Sequence, residues 1–195
     1  MLWTPRNLLK LFILGGLGGT LYDQIHVLGR VLAYPDPVLF QQSWWVVPNF
    51  GLGVLLLALT GRWLARWSLR LVGRPNTEEL LVNLAWFTLA YLASALLTFP
   101  PPVVLAIFVT TWLLRVLPRA DRLPQLLQGL GLAVVGVLWE LLFTKLHLFH
   151  YLHPDFAVNG QGMGVATWLP GLYMHGGPLA ICVLAQLEQP KMTHS

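Results

Sequence analysis

Residues 80–117 read LLVNLAWFTLAYLASALLTFPPPVVLAIFVTTWLLRVL, and this stretch decides the fold. No charged residue interrupts it before Arg115, and Pro100-Pro101-Pro102 divides it in two. Crossing ~30 Å of hydrocarbon takes roughly 20 mostly apolar residues in a helix. The first half, 80–97, meets that length. Proline cannot continue a helical ladder but suits the first turn of a new helix, so 103–117 reads as a return span. At 1.5 Å per residue this return span covers only ~22 Å, so the bilayer thins around it or its flanks extend it.

The same reading carried outward finds spans at about 8–28, 45–64, 126–148 and 168–187. The expectation is an all-α membrane protein with six transmembrane helices in a single domain, 1–195. Composition agrees: of 195 residues, 56% are hydrophobic and 10% charged, with mean hydropathy +0.64. Soluble domains carry about 25% charge, and disordered chains are polar, so both classes are excluded. A single cysteine cannot form an internal disulfide framework. The net charge of +4 does not indicate nucleic acid, because the basic residues sit between apolar blocks and form no stripe with aromatics. The N-terminal apolar segment runs on through Gly15-Gly16-Leu17-Gly18-Gly19 without a clear cleavage site, and reads as a retained span rather than a signal peptide.

Orientation follows from the cations. Arg6, Lys10, Arg62, Arg66, Arg70, Arg74, Arg115, Arg119, Arg122 and Lys191 fall on one side of the spans, against Arg30 and Lys145 on the other. Positive residues collect on the cytoplasmic side, so both termini are expected there. Arg62, Arg66 and Arg70 recur every fourth residue between Trp63, Leu64, Trp67 and Leu71. That spacing predicts an amphipathic helix end at the headgroups.

Ionisable residues inside spans are costly and mark candidate sites. Asp23 lies ~22 Å and Glu140 ~21 Å from the cytoplasmic ends of spans one and five, and His175 ~10 Å from the outer edge of span six. His26 shares the Asp23 face. All four are expected in one layer in the outer half, with His26 and His175 as partners for the carboxylates and Lys145 reaching back from further out. Asn83 and Thr88 are placed deeper, apart from this layer. The layer reads as a lipid-headgroup pocket, as a hydrogen-bonded packing cluster, or as a proton path. A zinc site from the same four has suitable ligand types, but no ligand spacing repeats. His147, His150 and His153 read as interfacial. Glycines at 15, 16, 18, 19, 51, 53, 129, 131, 136, 176 and 177 let helices approach closely. Pro178 after Gly176-Gly177 predicts a kink near Met174 beside His175. Trp44, Trp45, Pro48 and Gly51 are expected to shape the entry of span two at the interface. No nucleophile elbow, phosphate-binding loop or paired cysteine appears, so no catalytic residue, metal or cofactor is assigned.

Three stretches resemble the Insig family of sterol-responsive membrane proteins. They are Ser43-Trp44-Trp45-Val46-Val47-Pro48 with Gly51; Tyr151 followed by Pro154-Asp155-Phe156; and Trp168-Leu169-Pro170 with Gly176-Gly177 and Gln186-Leu187 at the family's spacing. The resemblance covers about 42–187. It implies a six-helix bundle without enzymatic activity. Animal members bind oxysterols and retain sterol-sensing-domain proteins in the endoplasmic reticulum. This chain departs from them. Val103-Val104-Leu105-Ala106 is wholly apolar where animal members carry a glutamine. Trp112 stands alone where they have a pair, Asp121-Arg122 lies further on, and His175 replaces an apolar residue. A sterol-sensing-domain partner is therefore not carried over. The excess of arginine over lysine and the minimal loops point to a prokaryotic relative in a plasma membrane; in a eukaryote the site would be the endoplasmic reticulum.

The leading expectation is a non-enzymatic lipid-binding protein of Insig type. Its ligand would be a neutral amphipathic lipid, a sterol or diacylglycerol-like molecule, held near Asp23, His26, Glu140, His175 and Gly176. Trp44, Trp45, Pro48, Asp155, Trp168 and Pro170 are expected as interfacial or structural residues. A phosphate-bearing lipid is disfavoured because no arginine is expected at the depth of the polar layer. The alternative is a small transporter or membrane enzyme using the buried Asp, Glu and His. Self-association is left open, and no nucleic-acid partner is expected.

Overall fold

The computed structural model describes residues 4–157 and 164–188; Lys191, counted above among the cytoplasmic cations, lies outside them. The element order is α1 (Pro5–Leu28), β1 (Leu32–Ala33), α2 (Val46–Val72), α3 (Thr77–Leu96), α4 (Pro101–Val116), α5 (Arg122–Lys145), β2 (His150–Tyr151), β3 (Phe156–Ala157), β4 (Gly164–Val165) and α6 (Leu169–Leu187). The helices begin where local chemistry allows. Thr4 caps α1 by accepting from the Asn7 amide, with Pro5 in the first turn. Asn76 caps α3 by accepting from the Glu79 amide at 2.7 Å. Both satisfy amide groups that have no intrahelical partner. Pro48 falls in the first turn of α2, where a missing N–H is harmless. α2 does not stop at residue 64. It continues through the arginine-rich turns to Val72 and ends at Gly73, whose φ of 77° lies in the left-handed region that glycine tolerates.

α2, α3 and α5 are each long and apolar enough to cross a membrane, and α4 is a shorter apolar helix. α1 and α6 complete the bundle and carry polar residues of their own, among them Asp23, His26 and His175. The distribution inverts that of a soluble protein. Leu14, Leu21 and Leu28 of α1 and Val134, Val135 and Leu138 of α5 are exposed, whereas Asp23, Asn83, Gln125, Gln128 and His175 are buried. The protein is an all-α membrane bundle of six helices.

α6 is the central post. It packs against α2, α3, α4 and α5, and its buried residues face every direction. It runs unbroken from Leu169 to Leu187 through Pro178. α1 packs on α2 and, less extensively, on α3. Leu11 near the start of α1 joins Ala58, Leu64, Ile181, Leu184 and Ala185 in one apolar cluster, so α1 begins and α6 ends at the same, inner end. The outer end holds two small antiparallel pairings that hydropathy did not anticipate, β1 with β2 and β3 with β4. Leu32 faces Tyr151 in the first register.

Ion pairs lace the inner end. Glu188 meets Arg62 at 2.8 Å and Arg66 at 3.1 Å, tying the end of α6 to α2. Asp121, fully buried, accepts from Arg119 at 2.7 Å, from Ser68 of α2 at 2.6 Å and from Gln125 of α5 at 2.8 Å. Arg119 also reaches Glu79 of α3 at 2.6 Å. Burial alone would raise the Asp121 pKa, but these hydrogen bonds and the Arg119 charge outweigh it and hold the carboxyl below its ordinary range.

Candidate functional site

The outer half of the bundle holds two carboxylates, each satisfied by residues from other elements. Asp23 of α1 accepts from the Tyr34 hydroxyl at 2.8 Å and from the Gln42 amide at 2.6 Å. Gln42 also donates to the Thr20 carbonyl at 3.1 Å, which pins the segment before α2 onto α1. Glu140 of α5 accepts from Tyr151 of β2 at 2.7 Å and from Tyr173 of α6 at 2.5 Å, one donor per oxygen. Burial, and after it the charge and hydrogen bond of Asp23, holds the Tyr34 phenol well above its ordinary range, with Glu140 adding to the effect. Tyr34 thus lies within electrostatic reach of both carboxylates, which share one layer. Burial and the Glu140 charge act on Tyr151 in the same direction. Both loop phenols stay protonated and remain donors.

The other two predicted members do not join this layer as partners. His26 bonds through Nε2 to Ser94 Oγ of α3 at 2.8 Å. Ser94 gives its own proton to the Tyr91 carbonyl at 2.8 Å, so it accepts from His26, and Nε2 carries the imidazole proton. His26 also stacks on Tyr91 at 4.8 Å and meets the edge of Trp168 at 5.6 Å. It is a packed, satisfied histidine beside the layer rather than a counter-ion for Asp23.

His175 belongs to a different place. Its Nε2 lies 3.1 Å from the Phe108 carbonyl and 3.2 Å from Thr111 Oγ1, both on α4. Its Nδ1 lies 3.3 Å from Arg115. Thr111 and Arg115 sit in the last turns of α4, so His175 is grouped with the inner end and apart from Glu140. Asn83, expected deeper than the Asp23–Glu140 layer, is here too and accepts from Arg115 at 2.7 Å. The depth reckoning failed because α6 starts below the outer edge. Trp168, its first flank, is 7% exposed and lies against His26 and Tyr151 beneath the outer loops. Arg115, which meets His175, therefore lies away from the Asp23–Glu140 layer.

The remaining predicted residues scatter. A Cβ on Gly176 would stand 3.3 Å from the Phe87 ring of α3 and 3.4 Å from Leu132 of α5, so the glycine packs closely between the two helices. Trp44 is 74% exposed at the outer end, whereas Trp45 packs edge-on against Tyr34 and Phe143. Asp155 accepts from the Thr167 amide at 2.8 Å and fixes the approach to α6, where Pro170 lies in the first turn. Lys145 is exposed, and Glu140 takes its donors from tyrosines instead. Among the described residues no three His, Cys, Asp or Glu side chains converge as metal ligands would. A pocket of about 200 Å³ opens at the outer end between Pro35, Asp36, Ser43, Trp44, Trp45, His147 and Leu148. Pro35 and Ser43 are the chain neighbours of Tyr34 and Gln42, so the pocket lies beside the two donors that hold Asp23.

The sequence reading named none of Tyr34, Gln42, Tyr151 and Tyr173 as a donor; Tyr151 entered it only through the family resemblance. Three of them come from loops or short strands, where no helical periodicity reports direction. One signal was present: a tyrosine, Tyr34 or Tyr151, follows the outer end of each of the two spans that carry Asp23 and Glu140.

No protein-family model matches the chain, and no curated protein matches it. Solved structures do. A mycobacterial Insig homologue, MvINS from Mycobacterium vanbaalenii, aligns with TM-score 0.68 and 23% identity over 97% of this chain and 98% of that one. A cross-linked trimer of MvINS aligns equally well. The six helices of this chain are therefore arranged as in that Insig homologue, and the protein has the Insig-homologue fold.

Proposed function

We propose that this protein is a non-enzymatic, Insig-type lipid-binding protein of a plasma membrane, with both termini cytoplasmic. Its ligand is a neutral amphipathic lipid, a sterol or diacylglycerol-like molecule. The observation that carries the reading is the outer layer: two carboxylates, Asp23 and Glu140, fed by phenol and amide donors between apolar helices. A hydroxylated head can exchange hydrogen bonds with these groups without bringing a charge that the layer would have to neutralise. The pocket of about 200 Å³ is head-sized, and the chains run along the apolar flank. The fold likeness to an Insig homologue supports the same class, and the cross-linked trimer supports self-association of this chain as a trimer.

The test is mass spectrometry of lipid retained by the full chain after purification in mild detergent. A neutral lipid at a fixed ratio to protein is expected. Glu140→Gln and Asp23→Asn should lower that ratio while the variants remain folded. Lipid-free protein that supports proton-coupled flux in vesicles would replace this reading with the transporter one.

A further inference from the structure

We propose that residues 35–44, between α1 and α2, form a membrane-docking hairpin whose apolar tip sits in the outer leaflet, at the boundary of headgroups and acyl chains. Val38, Leu39, Phe40 and Trp44 are each between 65% and 74% exposed. No charged residue lies between Asp36 and Arg62. Large apolar side chains this bare, so close together in the chain, mark an interaction surface.

The tip has a defined shape. Leu39 and Gln42 exchange both backbone hydrogen bonds across Phe40 and Gln41: the Gln42 amide donates at 2.9 Å and the Leu39 amide at 3.2 Å. Phe40 and Gln41 both have positive φ, 51° and 64°. This is a two-residue hairpin turn of the kind that favours Asn-Gly, because most side chains are strained in the left-handed region. A phenylalanine occupies the first of these positions, and it is exposed, so packing within the chain does not offset the strain. Burial of its ring in the leaflet does.

The base is clamped to the side of α1. Tyr34 before the hairpin and Gln42 within it both donate to Asp23, at 2.8 and 2.6 Å. Gln42 also donates to the Thr20 carbonyl at 3.1 Å, and Ser43 to the Asp36 carbonyl at 3.0 Å. Asp23 and Thr20 precede Leu28, the last residue of α1, by ~8 and ~12 Å along the helix. The end of α1 is level with the outer end of the span α3, since a Cβ on Gly29 would stand 2.8 Å from the Ala95 Cβ. The hairpin is therefore tied on below the outer edge of these two spans rather than above it. Its surroundings there are continuous with the lipid that covers the exposed Leu21 and Leu28 of α1. Trp44 stands at the same margin, where an indole prefers to lie. The docking does not depend on whether the Asp23–Glu140 layer holds a ligand.

The test is spin labelling of the full chain in dioleoylphosphatidylcholine vesicles. Phe40→Cys carries the label, and Cys182→Ala removes the other thiol. Collision of the label with dissolved oxygen should exceed collision with a water-soluble nickel chelate several-fold. A label reached more readily by the chelate places the tip in water and overturns the inference. A label reached by neither lies under protein, this copy's or a second one's, and overturns it as well. Should that variant fail to fold, unmodified protein and Trp44→Phe are compared in vesicles whose phosphatidylcholine is brominated high on its acyl chains. Bromine should quench a component of the tryptophan emission that Trp44→Phe lacks. Equal quenched emission from the two forms overturns the docking.

Discussion

Gly177 of α6 lies directly against the Gly129 backbone of α5: a Cβ on Gly177 would stand 2.6 Å from the Gly129 nitrogen. Trp112 of α4 closes on the other side, where a Cβ on Gly129 would meet its ring at 2.7 Å. The central helix touches its neighbour backbone to backbone here, and neither chain can yield. Gly177→Ala should therefore lower stability by about 1–3 kcal/mol through overpacking. Gly18→Ala and Gly131→Ala, with nothing within 4 Å, should be neutral or mildly stabilising. Thermal unfolding in detergent compares the three; equal melting temperatures would contradict the close seam.

Asp121 should make the inner end acid-sensitive. Its folded pKa is depressed below the ordinary 3.8, because hydrogen bonds from Arg119, Ser68 and Gln125 and the Arg119 charge overcome burial. A depressed carboxyl contributes stability that is fully present above its unfolded pKa and is lost as pH falls through the folded value. Stability should hold from neutral pH to about pH 4 and drain below it. Asp121→Asn should lower neutral-pH stability by about 3 kcal/mol, since Arg119 loses a buried partner, and should flatten the acid limb. Unfolding midpoints measured from pH 7 to pH 3 check both the sign and the window.

Hydropathy revealed the spans because hydrocarbon imposes a length and a composition on each. Boundaries moved where a cap or an amphipathic end decided them, as at Thr4 and along Arg62–Arg70. The site was legible only in part. Asp23 and Glu140 announced themselves as acids within apolar runs, and Tyr34 lies within electrostatic reach of both. His175 looked equivalent by residue counting, but a count from the helix end assumes that the end sits at the membrane edge, and α6 starts beneath Tyr151. Arg115 looked like a cytoplasmic cation because it ends a span. Its fixed geometry depends on Asn83 and His175, which lie on other helices with no sequence relation to it.

The His26–Ser94 pair should behave as packing, not as part of a ligand site. Ser94→Ala removes the acceptor of a histidine that is 3% exposed, leaving a buried N–H without a partner. The expected loss is about 1–3 kcal/mol of stability. Retained neutral lipid per folded molecule should stay unchanged. A fall in lipid without a fall in melting temperature would move His26 into the binding layer.

Glu140 provides the sharpest test of whether the outer layer binds a ligand or only holds helices together. Each of its oxygens has one phenol donor, Tyr173 on Oε1 and Tyr151 on Oε2. Removing either should cost about 1–3 kcal/mol, because a buried acceptor is left bare. The losses should not add. With one donor gone the carboxylate can shift its charge toward the other, whereas with both gone it has no donor inside the membrane. The double variant Tyr151→Phe/Tyr173→Phe should therefore lose about 1 kcal/mol more than the sum of the singles. A packing cluster predicts that coupling and nothing further. A headgroup site predicts in addition that Tyr173→Phe lowers retained neutral lipid per folded molecule, since a phenol that donates to Glu140 also accepts from a lipid hydroxyl beside it. Coupling with unchanged lipid would leave Glu140 a structural acid and remove it from the site.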